Sequence, residues 1–362
     1  MRAFLVRAFP AEQLCYLTGS LLVPAKGSGT VRPVTMRDVA NRAHVSVRTV
    51  SRVINGQGEI TDATRQRVSA TIDEMDYRPS KLARGLVSRH TDTIGLIVGD
   101  IANPFFSEIA RAMQDKARAA GYDVFFCNSG GSWEEELRAL HSLADHGVDG
   151  IVISPSPGLT AERIKPFADR FCPIVTLVYP LAHPHISSVL AEIRKGACQA
   201  VEYLIEKGHT TIAMLAGSAP TPMIHWRVKG YRDALLARGL PYRAELVCSG
   251  APVFERGHAS AREILTRFPE VTAIFAYNDL LALGAIRACR ELGRRVPEDC
   301  AIIGFDDIPL AGWVTPALTT VRMDKQALGD QAVARLLEML DEPEVQYAPV
   351  FIPAELVVRE SA

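Results

Sequence analysis

This sequence has no C-x-x-C pair, no run of 18 apolar residues, and no G-x-G-x-x-G, Walker or G-x-S-x-G motif. Each absence removes a class of function. Without a long apolar run there is no membrane span. Without glycine-rich phosphate loops or a nucleophile elbow, the common nucleotide-dependent enzymes and serine hydrolases lose their signatures. The cysteines at 15, 127, 172, 198, 248, 289 and 300 are odd in number, and none clusters with histidine. Such spacing supports neither a zinc site nor a disulfide framework, and it fits reduced thiols in the cytoplasm. Asp306 and Asp307 come nearest to a carboxylate pair, but adjacent residues at a strand end point apart. No cofactor, metal or catalytic residue is therefore expected. The first 33 residues lack a continuous signal sequence, because Glu12, Gln13 and Gly19 interrupt their apolar stretches. Residues 1–33 are expected to form a disordered extension, and a transported binding protein is disfavoured.

Net charge is also scarce, at −1, but it is unevenly spread. Residues 34–90 carry ten Lys and Arg against six Asp and Glu, whereas residues 91–362 carry 26 against 34. A small basic module precedes a larger acidic body, and a basic module suits a phosphate backbone. Hydrophobic residues make up 48% of the chain, enough for a large core. Residues 34–76 read as three short helices. From Thr93 onward, apolar strands of four to six residues alternate with helices. Strands are expected at Thr93–Val98, Tyr122–Phe126, Gly150–Ile153, Ile174–Leu177, Ile212–Leu215, Glu245–Cys248, Ala273–Ala276 and Ala301–Phe305. This alternation predicts parallel sheets with helices on both faces, and the span is too long for one sheet. Two lobes follow, with a ligand cleft at the carboxyl ends of the strands.

In the basic module, Thr35 and Asp38 make a capping box, and Ser46 can cap a second helix. The short connection forces the helices to cross over Val39, Ala40, Val45 and Val50. The second helix then exposes Val47, Arg48 and Arg52. Arg48 and Arg52 share a face, since they are four apart. Arginine can pair bidentately with guanine, and valine can touch a thymine methyl. Taken alone, the segment is also compatible with a helical hairpin that has a solvated basic face.

The stretch Thr35, Asp38-Val39-Ala40, Val45-Ser46, Thr49-Val50-Ser51-Arg52 and Asn55 closely resembles the headpiece of the LacI family. The resemblance implies Val47, Arg48 and Arg52 as base readers. Thr35, Thr49, Ser51 and Asn55 complete the DNA-facing set, with Thr49 and Ser51 nearer the phosphates. His44 stands where the family usually has glycine in the turn, and histidine tolerates positive φ. Residues 77–88 read on their own as a linker. The resemblance makes them a hinge helix that folds on DNA, with Lys81 and Ala83 beside it and Leu86 as a minor-groove wedge. The likeness continues through Asp100-Ile101-Ala102-Asn103-Pro104-Phe105-Phe106, Val148-Asp149-Gly150-Ile151, Tyr277-Asn278-Asp279-Leu280, Gly304-Phe305-Asp306-Asp307 and Leu318-Thr319-Thr320-Val321.

It implies an all-α helix-turn-helix headpiece over 34–79, a hinge and linker over 80–92, and a periplasmic-binding-protein-like α/β core over 93–362. Within the core, lobe 1 is expected at about 93–190 plus about 320–345, and lobe 2 at about 191–319 plus the C-terminal segment. The implied effector contacts are Arg227, Asn278 and Asp306 on the second lobe and Asp100, Phe105 and Phe106 on the first. A carboxylate, an amide and a guanidinium suit a polyol, or a sugar acid if Arg227 takes its carboxylate. Val178-Tyr179 and Glu192-Ile193 depart from the family's usual cleft residues, so the effector's identity does not carry over. The implied protein is a cytoplasmic homodimer that represses transcription, with operator DNA and a carbohydrate-like effector as partners.

Overall fold

The computed structural model describes residues 32, 34–78, 90–169, 172–218 and 222–362. The expected disordered extension, apart from Arg32, and the hinge residues Lys81, Ala83 and Leu86 lie outside the described residues. The described chain divides into a small N-terminal unit and a large C-terminal one.

The small unit has helices α1 (Met36–Ala43), α2 (Val47–Ile54) and α3 (Asp62–Glu74). Local chemistry sets their ends. The Thr35 hydroxyl accepts from the Asp38 N–H, and the Asp38 carboxylate accepts from the Thr35 N–H at 2.8 Å, closing the capping box. Ser46 caps α2 by accepting from the Thr49 N–H at 3.1 Å. Between them His44 turns the chain at φ 53°, the left-handed conformation expected of it. Val39, Ala40, Ala43, Val50 and Val68 form the buried core, while Val45 is only half-buried at its edge.

The large unit holds two six-stranded sheets. The first contains β1 (Thr93–Val98), β2 (Asp123–Asn128), β3 (Gly150–Ile153), β4 (Ile174–Leu177) and β5 (Ile186–Ala191), with α4 (Pro104–Ala119), α5 (Trp133–Asp145) and α6 (Ala161–Ala168) between strands. The second contains β6 (Ile212–Ala216), β7 (Val247–Ser249), β8 (Ala273–Ala276), β9 (Ala301–Asp306) and β10 (Thr319–Met323), with α7 (Ile193–Glu206), α8 (Pro222–Ala237), α9 (Phe254–Arg267) and α10 (Asp279–Glu291). After α11 (Lys325–Asp341), β11 (Val350–Ile352) joins the first sheet and β12 (Ala354–Val357) the second. The strand orders are β11-β5-β4-β3-β1-β2 and β12-β10-β9-β8-β6-β7, all parallel except β10 with β12. The chain therefore crosses between lobes near 192, 324 and 353.

These crossings correct the expected lobe boundaries. Residues 320–323 belong to the second lobe, because β10 pairs with β9. Return to the first lobe begins only with α11, which packs on α4 and on β3, β4 and β5. The C-terminal segment is shared, since β11 completes the first sheet. Besides the elements from β10 onward, α6 and β5 are additional to those expected from the alternation. The helix carrying Arg227 begins at Pro222, in keeping with the preference of proline for a first helical turn. One apolar cluster runs from Phe105, Ile109 and Met113 in the first lobe to Ile303, Phe305 and Ile308 in the second. Among the described residues, no helix is long and apolar enough to cross a membrane.

Candidate functional site

On α2, Val47 is 42% exposed, and Arg48 and Arg52 are exposed beside it. Neither arginine makes an ion pair among the described residues, whereas nearby Arg42 is bound to Glu74 at 2.7 Å. The face thus presents two uncommitted guanidinium groups and a small apolar contact. The stem of Arg52 lies against Gly58, where φ is 75° and an added Cβ would touch the Arg52 Cδ at 3.4 Å. Other expected DNA contacts have fold duties. The Thr35 hydroxyl serves the capping box, the Thr49 hydroxyl bonds Ser46 at 2.9 Å, and Ser51 Oγ accepts from Asn55 Nδ2 at 3.4 Å.

In the second lobe, Asp306 ends β9 at φ 106° and is 5% exposed. Arg227, on α8 and 2% exposed, donates from Nη2 to Asp306 Oδ1 at 3.2 Å. Its guanidinium lies between the rings of Tyr277 and Phe305, at 4.2 and 4.1 Å from their centroids. Its Nε and Nη1 are buried without a hydrogen-bond partner. A buried unpaired donor of this kind is costly, and it marks a place where a ligand's acceptors fit. Burial pushes the Asp306 carboxyl up to about 7, against the pull of Arg227 and then Lys325.

Asn278 is buried in a different role. Its Oδ1 accepts from the Leu281 N–H at 3.0 Å, capping α10, and its Nδ2 donates to the Pro252 carbonyl at 3.1 Å. Phe105 is buried and meets Phe106 edge-on at 5.1 Å, and both pack into the cluster that reaches Phe305. Asp100 is exposed and accepts from the Ala102 N–H at 2.9 Å in its own turn; no contact joins it to Arg227 or Asp306.

Asp279, which is not among the residues expected at the site, is fully buried. It accepts from the Ile308 N–H at 2.7 Å and from the Thr320 hydroxyl, so it fixes the turn after Asp306 to β10. Burial, then repulsion from Asp306, raises its carboxyl well above the usual range. Gly304 is required beside it, because any side chain there would strike the Asp279 carboxylate. The only signal in the sequence was the Asn278-Asp279 pair itself.

A third buried carboxylate, Glu136 on α5, accepts from the Ser156 N–H and hydroxyl, each at 2.7 Å. Burial pushes it up to about 7, against the pull of Ser156 and Ser129. A folded pKa above the unfolded value means stability that is complete below about pH 4.5 and lost as pH rises through about 7. The displacement corresponds to about 3 kcal/mol when fully expressed. Glu136→Gln does not titrate and keeps an acceptor for Ser156. Its melting midpoint should therefore gain several degrees on the wild type between pH 5 and pH 8. A difference that does not change with pH in differential scanning fluorimetry would show that Glu136 is not held protonated.

Comparison with known proteins agrees with this architecture. Residues 35–80 match the family described as bacterial regulatory proteins, lacI family, and residues 201–362 match a periplasmic binding protein-like domain. The chain is 35% identical to catabolite control protein A of Priestia megaterium over 329 residues, 91% of this chain and 99% of that protein. Among solved structures, the lac repressor dimer bound to operator and the anti-inducer ONPF superposes with a TM-score of 0.81 at 29% identity, covering 91% of this chain and 99% of the other. A complex of the transcriptional regulator CelR with cellobiose gives 0.69 at 34% identity, covering 91% and 100%. The chain belongs to the LacI family of bacterial DNA-binding transcription regulators.

Proposed function

We propose that this protein is a cytoplasmic homodimeric repressor whose operator affinity is set by a neutral polyol or sugar held at Arg227 and Asp306. The observation that carries the effector reading is the pair of unpartnered donors on a buried arginine beside a carboxylate. Nε and Nη1 lie on different edges of the guanidinium, so a single carboxylate cannot take both. Two hydroxyl oxygens can, while a third hydroxyl donates to Asp306. This favours a sugar over a sugar acid. Tyr277, partly exposed beside Arg227, can give the site an apolar wall of the kind carbohydrate and drug-sized ligands require. The cellobiose held by CelR is a ligand of the same chemistry. A binding role without catalysis accords with the regulators this chain resembles.

The test is a thermal-shift screen of neutral mono- and disaccharides alongside their uronic and aldonic acids. A neutral sugar should raise the melting midpoint, and Arg227→Met should remove the shift. A response confined to the acids would contradict the reading.

Dimerisation follows from the DNA-reading module, since one headpiece reads only a half-site. The surface supports it. Trp313 is 87% exposed and Leu310 48% on the second lobe, and Phe125 and Phe126 are 44% and 41% exposed on the edge strand β2. Exposed aromatic side chains so placed suit coverage by a second copy. Trp313→Glu should shift the sedimentation coefficient toward the monomer and weaken operator binding with it. An unchanged dimer would move the interface elsewhere.

A further inference from the structure

Lys325 breaks two local rules at once. It opens α11, where a cation opposes the helix dipole, and its side chain is only 9% exposed. Asp324 caps the helix by accepting from the Ala327 N–H, which eases the first conflict but not the second. The ammonium is held instead by groups distant in sequence. Nζ donates to the carbonyl oxygens of Asp306 at 2.9 Å and Asp307 at 2.7 Å, both on the second lobe. It also lies 3.4 Å from Glu108 Oε2 on α4 of the first lobe. The other Glu108 oxygen is buried and unpartnered.

The two carbonyls belong to consecutive non-glycine residues at φ 106° and 53°. Such a turn persists only where its surroundings hold it. The Asp307 carboxylate is gripped by Arg322 at 2.7 Å and Arg359 at 2.6 Å, and the backbone is gripped by Lys325. The Asp306 side chain on the same turn meets Arg227.

We propose that Lys325 is a positioning residue that ties the Asp306–Asp307 turn of the second lobe to Glu108 on α4 of the first. Its regulatory meaning rests on the effector reading above. A ligand that shifts the Asp306 turn also shifts the carbonyls that hold Lys325, and Glu108 passes the shift to α4. Two discrete arrangements of such a contact are what coupling between lobes requires.

The test is amide hydrogen exchange on the full-length protein, with neither effector nor DNA, so it stands apart from what fills the Arg227 site. Lys325→Met keeps most of the stem and removes the donor. Exchange should rise about tenfold in peptides covering residues 306–311 and also in α4, with β6 and β8 unchanged. Lys325→Arg should restore part of the protection. Glu108→Gln should loosen the same two regions, and adding it to Lys325→Met should change little further. A rise confined to 306–311 would overturn the proposal, as would additive effects in the double variant. If Lys325→Met loosens the whole core, Glu108→Gln decides, because it leaves both carbonyls bonded. No rise at 306–311 in that variant would overturn the link.

Discussion

Replacing Arg52 by alanine is expected to weaken operator binding by about 1–3 kcal/mol per half-site, so about 2–6 kcal/mol for a dimer. That is a loss of roughly thirty-fold to about twenty-thousand-fold in affinity. Arg52 is an exposed guanidinium with no ion pair among the described residues, on the same face of α2 as Arg48. Removing it takes away a bidentate base contact and relaxes preference at one position. Arg42→Ala is the control. Its charge is shared with Glu74, both side chains are more than half exposed, and such a surface pair contributes about 0–1 kcal/mol. Fluorescence anisotropy on operator and scrambled duplexes separates the two variants. Equal, small losses on both duplexes for Arg52→Ala would take α2 out of the reading position.

Asp306→Asn is expected to weaken effector binding by tenfold or more, since a hydrogen bond to a charged group contributes about 1.5–3 kcal/mol. Asparagine is the informative choice. Asparagine and alanine both remove the counter-charge of Arg227, but asparagine keeps the side-chain volume and an acceptor for Nη2, whereas alanine would also leave Nη2 unpaired and confuse folding with recognition. The pH dependence carries a further sign. Because burial holds the Asp306 carboxyl up to about 7, it accepts a hydroxyl donor fully only above that pH. Wild-type affinity for a neutral sugar should therefore rise from pH 6 to pH 8, and the asparagine variant should lose that slope. Isothermal titration at the two pH values decides the matter. A flat wild-type profile would place the carboxylate outside the binding contacts.

What was legible in the sequence was what local chemistry decides. The Thr35–Asp38 box, the Ser46 cap and the αL histidine all rest on neighbours within four residues, and all three stand as read. Strand β8 was bounded to the residue because its apolar run is fully buried and ends at the Asn278 cap. The lobe boundary was misread because a parallel strand looks the same in either sheet. Only pairing places β10 beside β9 and β11 beside β5. Asn278 was read as a ligand contact because an amide beyond a strand end suits one, yet both ends of its amide serve the fold. Asp279 and Lys325 were missed because their partners, Thr320 and Asp306, lie 41 and 19 residues away. Nothing in the local sequence shows such contacts. The pairing of Arg227 with Asp306 was within reach as a likeness, but its two aromatic faces and two free donors needed coordinates.

The protein joins two modules, one that reads DNA and one whose ligand is proposed to change the reading. The most direct measurement selects genomic fragments on the purified protein, then titrates the best fragment in a gel shift against excess random DNA. The titration is repeated with the sugar found by thermal shift. A pseudo-palindromic fragment should be retained over random DNA by about a thousandfold or more, with affinity falling steeply in salt. Sugar should shift operator affinity in the wild type and not in Asp306→Asn. Equal affinity for selected and random DNA, or a sugar response that survives in Asp306→Asn, would contradict this reading.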